Sequence, residues 1–84
     1  MNVEVRFFAS LREATGLPAV MLELPESADF EALMAALAER LDAPAMAALG
    51  AENVRLARNQ ELVSAPFRLE PGDEVAFLPP VTGG

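Results

Sequence analysis

Asp29-Phe30-Glu31-Ala32-Leu33-Met34-Ala35-Ala36-Leu37-Ala38-Glu39-Arg40-Leu41 is the stretch on which the fold turns. Phe30, Leu33, Met34, Leu37, Ala38 and Leu41 recur at i, i+3, i+4, i+7, i+8 and i+11, which draws one apolar stripe along a helix. Asp29 stands where an N-cap belongs, since its carboxylate can accept from an otherwise unpaired N–H of the first turn. Pro44 is read as the stop, with Ala45 to Leu49 adding a short turn of helix before Gly50. A helix with one apolar stripe must lie on something, and the flanking segments supply a sheet.

Upstream, Val3, Val5 and Phe7 alternate with Glu4, Arg6 and Phe8, the period of a strand with one buried face. Ser10 to Thr15 breaks that pattern and reads as a loop, punctuated by Gly16 and Pro18. Ala19 to Leu24 is a second strand, stopped by Pro25 and expected to form an antiparallel hairpin with the first. Downstream, Asn53 to Ala57 is a third strand, Asn59-Gln60 a turn, and Glu61 to Ser64 a brief pairing segment. Pro66 to Leu69 is a short loop or strand, and Glu70-Pro71-Gly72-Asp73 is a strong turn. Glu74 to Leu78 is the last strand, ended by Pro79-Pro80, since proline cannot donate to a ladder. Strand, strand, helix, strand, short strand, strand predicts an α+β roll of the β-grasp type. That is a mixed sheet with one main helix across one face, its first and last strands central and parallel. Residues 1–78 form this domain, and residues 79–84 an extended, flexible C-terminal tail.

Composition narrows the function. With 84 residues the chain makes one small domain, and a hydrophobic content of 52% excludes a disordered class. There is no histidine, cysteine or lysine. The commonest general base, thiolate chemistry, a Schiff base and a P-loop lysine are therefore all missing from the side chains. A formal charge of -7 repels phosphate backbones, which argues against nucleic acid as partner. The start Met1-Asn2-Val3-Glu4 lacks the features of a signal peptide, and no apolar run of membrane-spanning length occurs. A cytoplasmic protein with no membrane partner is expected.

The chain's own end is a candidate for the chemistry-bearing group. Beyond the last strand come Pro79, Pro80, Val81, Thr82, Gly83 and Gly84. Two prolines favour a stiff polyproline exit, and six residues at roughly 3.1 to 3.3 Å each reach about 20 Å. Glycines lack a Cβ, so a narrow channel can close around Gly83 and Gly84. A carboxylate at such a tip can be adenylated, and the acyl adenylate can accept a persulfide sulfur. The bland alternative is a frayed, glycine-rich end with no role.

Asp73-Glu74-Val75-Ala76-Phe77-Leu78-Pro79-Pro80-Val81-Thr82-Gly83-Gly84 resembles the ending of the molybdopterin synthase small subunit family, within the ubiquitin-like sulfur carriers. Val5-Arg6-Phe7-Phe8-Ala9 with Leu11-Arg12-Glu13, and Asn59-Gln60 followed by Leu62-Val63, are similar to other segments of that family. Leu17 to Glu52 matches in pattern more than in letters, and Leu78 stands where many relatives have phenylalanine. The resemblance implies that Gly84 is adenylated with ATP by an enzyme of the ubiquitin-activating type. A sulfurtransferase system then makes it a thiocarboxylate. The tail enters the large subunit of molybdopterin synthase, where sulfur passes to cyclic pyranopterin monophosphate. It implies a heterotetramer, no cofactor or metal on this chain, and an active site in the large subunit. The alternatives are a carrier for thiamin thiazole or another pathway, a ubiquitin-like modifier of lysines, and a plain binding module.

Phe8 shares a strand face with Glu4 and Arg6, and Leu78 alternates away from Val75 and Phe77. Both therefore point away from the core and form a candidate docking patch. The resemblance adds Leu62. Against this, Phe8 tucked beneath a loop fits the pattern too. For Arg12 and Glu13 a local ion pair, a partner contact and plain solvation stay open. Met21, Met34 and Met46 are read as packing. Asp42, Glu52, Glu61, Glu70, Asp73 and Glu74 are read as solvated surface, with Asp73 and Glu74 placed near the tail's exit, where basic residues of an activating enzyme could meet them.

Overall fold

The computed structural model describes residues 1–80. Val81, Thr82, Gly83 and Gly84, on which the tail expectations fall, lie outside the described residues. Five strands form one sheet: β1 (Asn2–Phe7), β2 (Ala19–Glu23), β3 (Arg55–Arg58), β4 (Glu61–Val63) and β5 (Glu74–Leu78). Their order is β2-β1-β5-β3-β4. β1 and β2 form the expected antiparallel hairpin, with Val3 opposite Leu22 and Val5 opposite Val20. β5 lies beside β1 and parallel to it, Val5 against Val75 and Phe7 against Phe77. β3 closes on β5 and β4 on β3, both antiparallel. The sheet is thus the mixed β-grasp arrangement, with the strand that leads into the tail at its centre.

Among the described residues three helices accompany it: α1 (Ala9–Thr15), α2 (Phe30–Ala38) and α3 (Ala43–Leu49). α2 is the helix its stripe predicts. The Asp29 carboxylate accepts from the Ala32 N–H at 2.9 Å, and Leu33 and Leu37 are completely buried. It ends at Ala38, three residues before the last member of the stripe, and Leu41 is half-buried beyond it. Pro44 is a start rather than a stop. It sits in the first turn of α3, where the missing N–H costs nothing, and the Asp42 carboxylate caps that turn by accepting from the Ala45 N–H at 2.9 Å. Asp42 is therefore a cap and not only a solvated charge.

The larger correction concerns Ser10 to Thr15, which forms most of α1 rather than a loop. Its N-cap is Phe8, which makes no side-chain cap bond, so the usual start signal is missing. Leu11 packs into the core, and Gly16 closes the helix at φ 76°, a left-handed cap for which glycine is suited. β3 begins two residues after Asn53, and the Pro66 to Leu69 segment adds only a single bridge, Arg68 to Asp29.

The core lies between the helices and one sheet face. Val3, Val5, Phe7, Val75 and Phe77 from the central strands meet Leu33 and Leu37 of α2. Phe77 has Phe7 at 5.8 Å and Phe30 at 6.1 Å between ring centroids, and Phe30 continues to Phe67 at 5.3 Å. Such tilted aromatic contacts add to area burial.

Candidate functional site

Because side chains alternate along a strand, the residues between the core positions share the opposite sheet face. The register places them in rows. One row runs Arg6, Ala76, Ala57, Leu62 across β1, β5, β3 and β4. The next, toward the end of β5, holds Leu78 opposite Arg55. Phe8 follows Phe7 directly, and its N–H donates to the Phe77 carbonyl at 3.3 Å, which sets it beside Leu78. Glu4 and Met21 form a pair on the other side of the Arg6 row.

Phe8 is 43% exposed and Leu62 is 62% exposed, so neither tucks into the core. Leu78 is half-buried. Met21, read from sequence as packing, is instead 55% exposed on this same face. Its period-two alternation with the buried Leu22 and Leu24 carries that information. Ala57 and Ala76 are small and nearly buried between longer neighbours. In their row they lie between Arg6 and Leu62. The face is apolar at Phe8, Leu78, Leu62 and Met21, cationic at Arg6 and Arg55, and anionic at Glu4 and Glu74.

Two turns fix this face. Phe8 is extended, at φ -117° and ψ 149°, and Ala9 then turns to φ 48°. That left-handed step, uncommon without glycine, swings the chain from β1 into α1 and leaves Phe8 outside. At the other border, Asn59 and Gln60 turn β3 into β4 with φ of 50° and 70°, the sign a tight hairpin requires.

The junction to the tail is at one corner. Pro79 is half-buried and Pro80 exposed, and Pro80 lines a shallow groove with Glu52, Asn53 and Arg55. Val81, Thr82, Gly83 and Gly84 continue from there, outside the described residues. Asp73 is not near this exit. It precedes Glu74, at the far end of β5, about 16 Å away for five residues of strand. It is not solvated either. Asp73 is 6% exposed, its carboxylate accepting from Asn59 Nδ2 and from the Glu70 N–H, both at 2.9 Å. No group of His, Cys, Asp or Glu among the described residues is arranged to hold a metal ion. No helix of the described residues is long and apolar enough to cross a membrane.

A parallel β1–β5 core pair, a helix across one face, and a central last strand that runs out at Pro79-Pro80 define a ubiquitin-like β-grasp domain. Residues 5–84 match the model of the ThiS family, and the chain belongs to that family. It is 45% identical over 84 residues to the molybdopterin synthase sulfur carrier subunit of Escherichia coli (strain K12), covering 98% of this chain and 99% of that protein. Among solved structures, SAMP1 from Haloferax volcanii superposes with a TM-score of 0.83 at 27% identity, covering 100% of both chains. A chain in the protein–protein complex of subunits 1 and 2 of molybdopterin-converting factor from Helicobacter pylori 26695 superposes with a TM-score of 0.70 at 27% identity, again over 100% of both.

Proposed function

We propose that this chain is the sulfur carrier subunit of a molybdopterin synthase, working through the carboxylate of Gly84. A carboxylate oxygen of Gly84 attacks the α-phosphorus of ATP on an adenylating enzyme, and pyrophosphate leaves. A persulfide from a sulfurtransferase system attacks the acyl carbon, AMP leaves, and reduction of the resulting acyl disulfide by a thiol gives the thiocarboxylate. In the large subunit the thiocarboxylate sulfur attacks cyclic pyranopterin monophosphate, and water cleaves the acyl–sulfur bond to return the carboxylate. ATP is consumed on the activating enzyme, and this chain holds no cofactor of its own. Residues 1–78 carry the docking surface, and residues 79–84 carry the sulfur.

The observation that carries this reading is the course of β5. It brings Leu78, Pro79 and Pro80 out beside Phe8 at the margin of an exposed apolar face. A partner seated on that face is therefore already at the root of the tail. Phe8, Leu62 and Leu78 are the docking residues in this reading, and Pro79 to Thr82 lead Gly83 and Gly84 into the partner's channel. The whole-length identity to the Escherichia coli carrier supports the same assignment, as does the two-subunit Helicobacter pylori assembly. The test is reconstitution with a large subunit, an adenylating enzyme, ATP and a sulfur source. The full chain is expected to convert cyclic pyranopterin monophosphate to the dithiolene product, and the chain lacking Gly84 to be inactive. Equal conversion by both would refute the assignment.

A further inference from the structure

Asn59 makes three bonds to the start of the tail-bearing strand. Its N–H donates to the Glu74 carbonyl at 2.8 Å, its Oδ1 accepts from the Glu74 N–H at 3.0 Å, and its Nδ2 donates to Asp73 Oδ1 at 2.9 Å. The backbone at Asn59 has turned left-handed, so its side-chain carbonyl stands in for the main-chain carbonyl that the β3–β5 ladder would otherwise present. Asp73 is the one buried charged residue among the described residues, and it is tied in turn to the Glu70 N–H. Its own carbonyl accepts from the Glu4 N–H of β1 at 2.9 Å. Beyond the β3–β5 ladder, the Asn59 side chain thus adds a tie from the hairpin's turn to the start of β5 and, through Asp73, to β1.

β4 needs such a tie. It is three residues long, lies at the sheet edge, and pairs with β3 alone. It also carries Leu62, the most exposed large apolar residue described. A short edge hairpin held only by its ladder would pivot, and the distance from Leu62 to Phe8 and Leu78 would vary. We propose that Asn59 is a positioning residue for docking, holding Leu62 in a fixed frame with the tail-bearing strand. This rests on the docking reading above and adds a residue outside the patch itself.

The experiment measures affinity of the folded protein for the cognate large subunit by calorimetry, in a double-mutant cycle with Leu62. Asn59→Gly keeps the positive φ and the main-chain bond to Glu74 and removes both side-chain bonds. Leu33→Val serves as a control for general destabilisation. The proposal expects Asn59→Gly to weaken binding by about five- to tenfold, with most of that loss absent when Leu62→Ala is already present. Leu33→Val is expected to bind as the parent does. An unchanged affinity for Asn59→Gly, or a loss fully additive with Leu62→Ala, would overturn the positioning role while leaving the docking reading in place. A parent chain that does not bind the large subunit would overturn both.

Discussion

Phe7 and Phe77 face each other across the parallel β1–β5 pair, their ring centroids 5.8 Å apart, and the residue after each, Phe8 and Leu78, faces the opposite side of the sheet. One register therefore sets both the centre of the core and the margin of the exposed apolar face. The two rings and the two outer side chains should respond to mutation in opposite ways.

Phe77 is completely buried, and Phe77→Ala removes a ring that also touches Phe30. Such a truncation costs about 3–5 kcal/mol, a large share of the roughly 5–10 kcal/mol that holds a small domain together. Thermal unfolding should show a melting temperature lowered by roughly 12–40 °C. A melting temperature near that of the parent would mean that the core is not organised around this pair.

Phe8→Glu should do the reverse. Phe8 is 43% exposed and outside the core cluster, so unfolding should shift by only a few degrees. Affinity for the large subunit should fall by tenfold or more, about 1.4 kcal/mol, as expected for an aromatic anchor. Unchanged affinity in calorimetry would remove Phe8 from the docking face.

Asp29→Ala deletes the acceptor for the Ala32 N–H and weakens the first turn of α2. A loss of about 1 kcal/mol, or roughly 4–8 °C in melting temperature, is expected. No shift would mean that water or Glu31 replaces the cap at no cost.

Gln60→Gly is a stabilising prediction. Gln60 sits at φ 70°, where a side chain is strained, and the change creates the Asn-Gly pair that tight hairpins favour. Relief of strain outweighs the added freedom of the unfolded chain, giving about 0.5 kcal/mol and a rise of roughly 2–4 °C. A lower melting temperature would contradict the strain at this turn.

Much of this architecture is legible in the sequence, for physical reasons. β1 and α2 carry their periods openly because each has one buried face, and Asp29 announces its helix because a carboxylate is a good acceptor there. The β1–β5 pairing follows from the order of elements. α1 escapes notice because it is short, starts at an uncapped phenylalanine and buries one large residue, Leu11. Pro44 misleads because proline ends one helix and begins another with equal ease, and Asp42 before it was the available signal. Asp73 is invisible as a buried group, since its burial depends on Asn59, 14 residues earlier, which no local pattern encodes. Of the candidate site, Phe8 and Leu78 could be placed by alternation alone, and so could Met21 had its strand been read by face. Leu62 came through likeness to relatives, as β4 is too short to show a period.

The most direct test of the central claim is the intact mass of the chain after incubation with ATP, an adenylating enzyme and a persulfide sulfur source. The account predicts replacement of one oxygen by sulfur, confined to the fragment that ends in Gly84, blocked by thiol alkylation from further transfer, and absent when Gly84 is deleted. An unaltered C-terminal fragment, under conditions that load the Escherichia coli carrier, would contradict it.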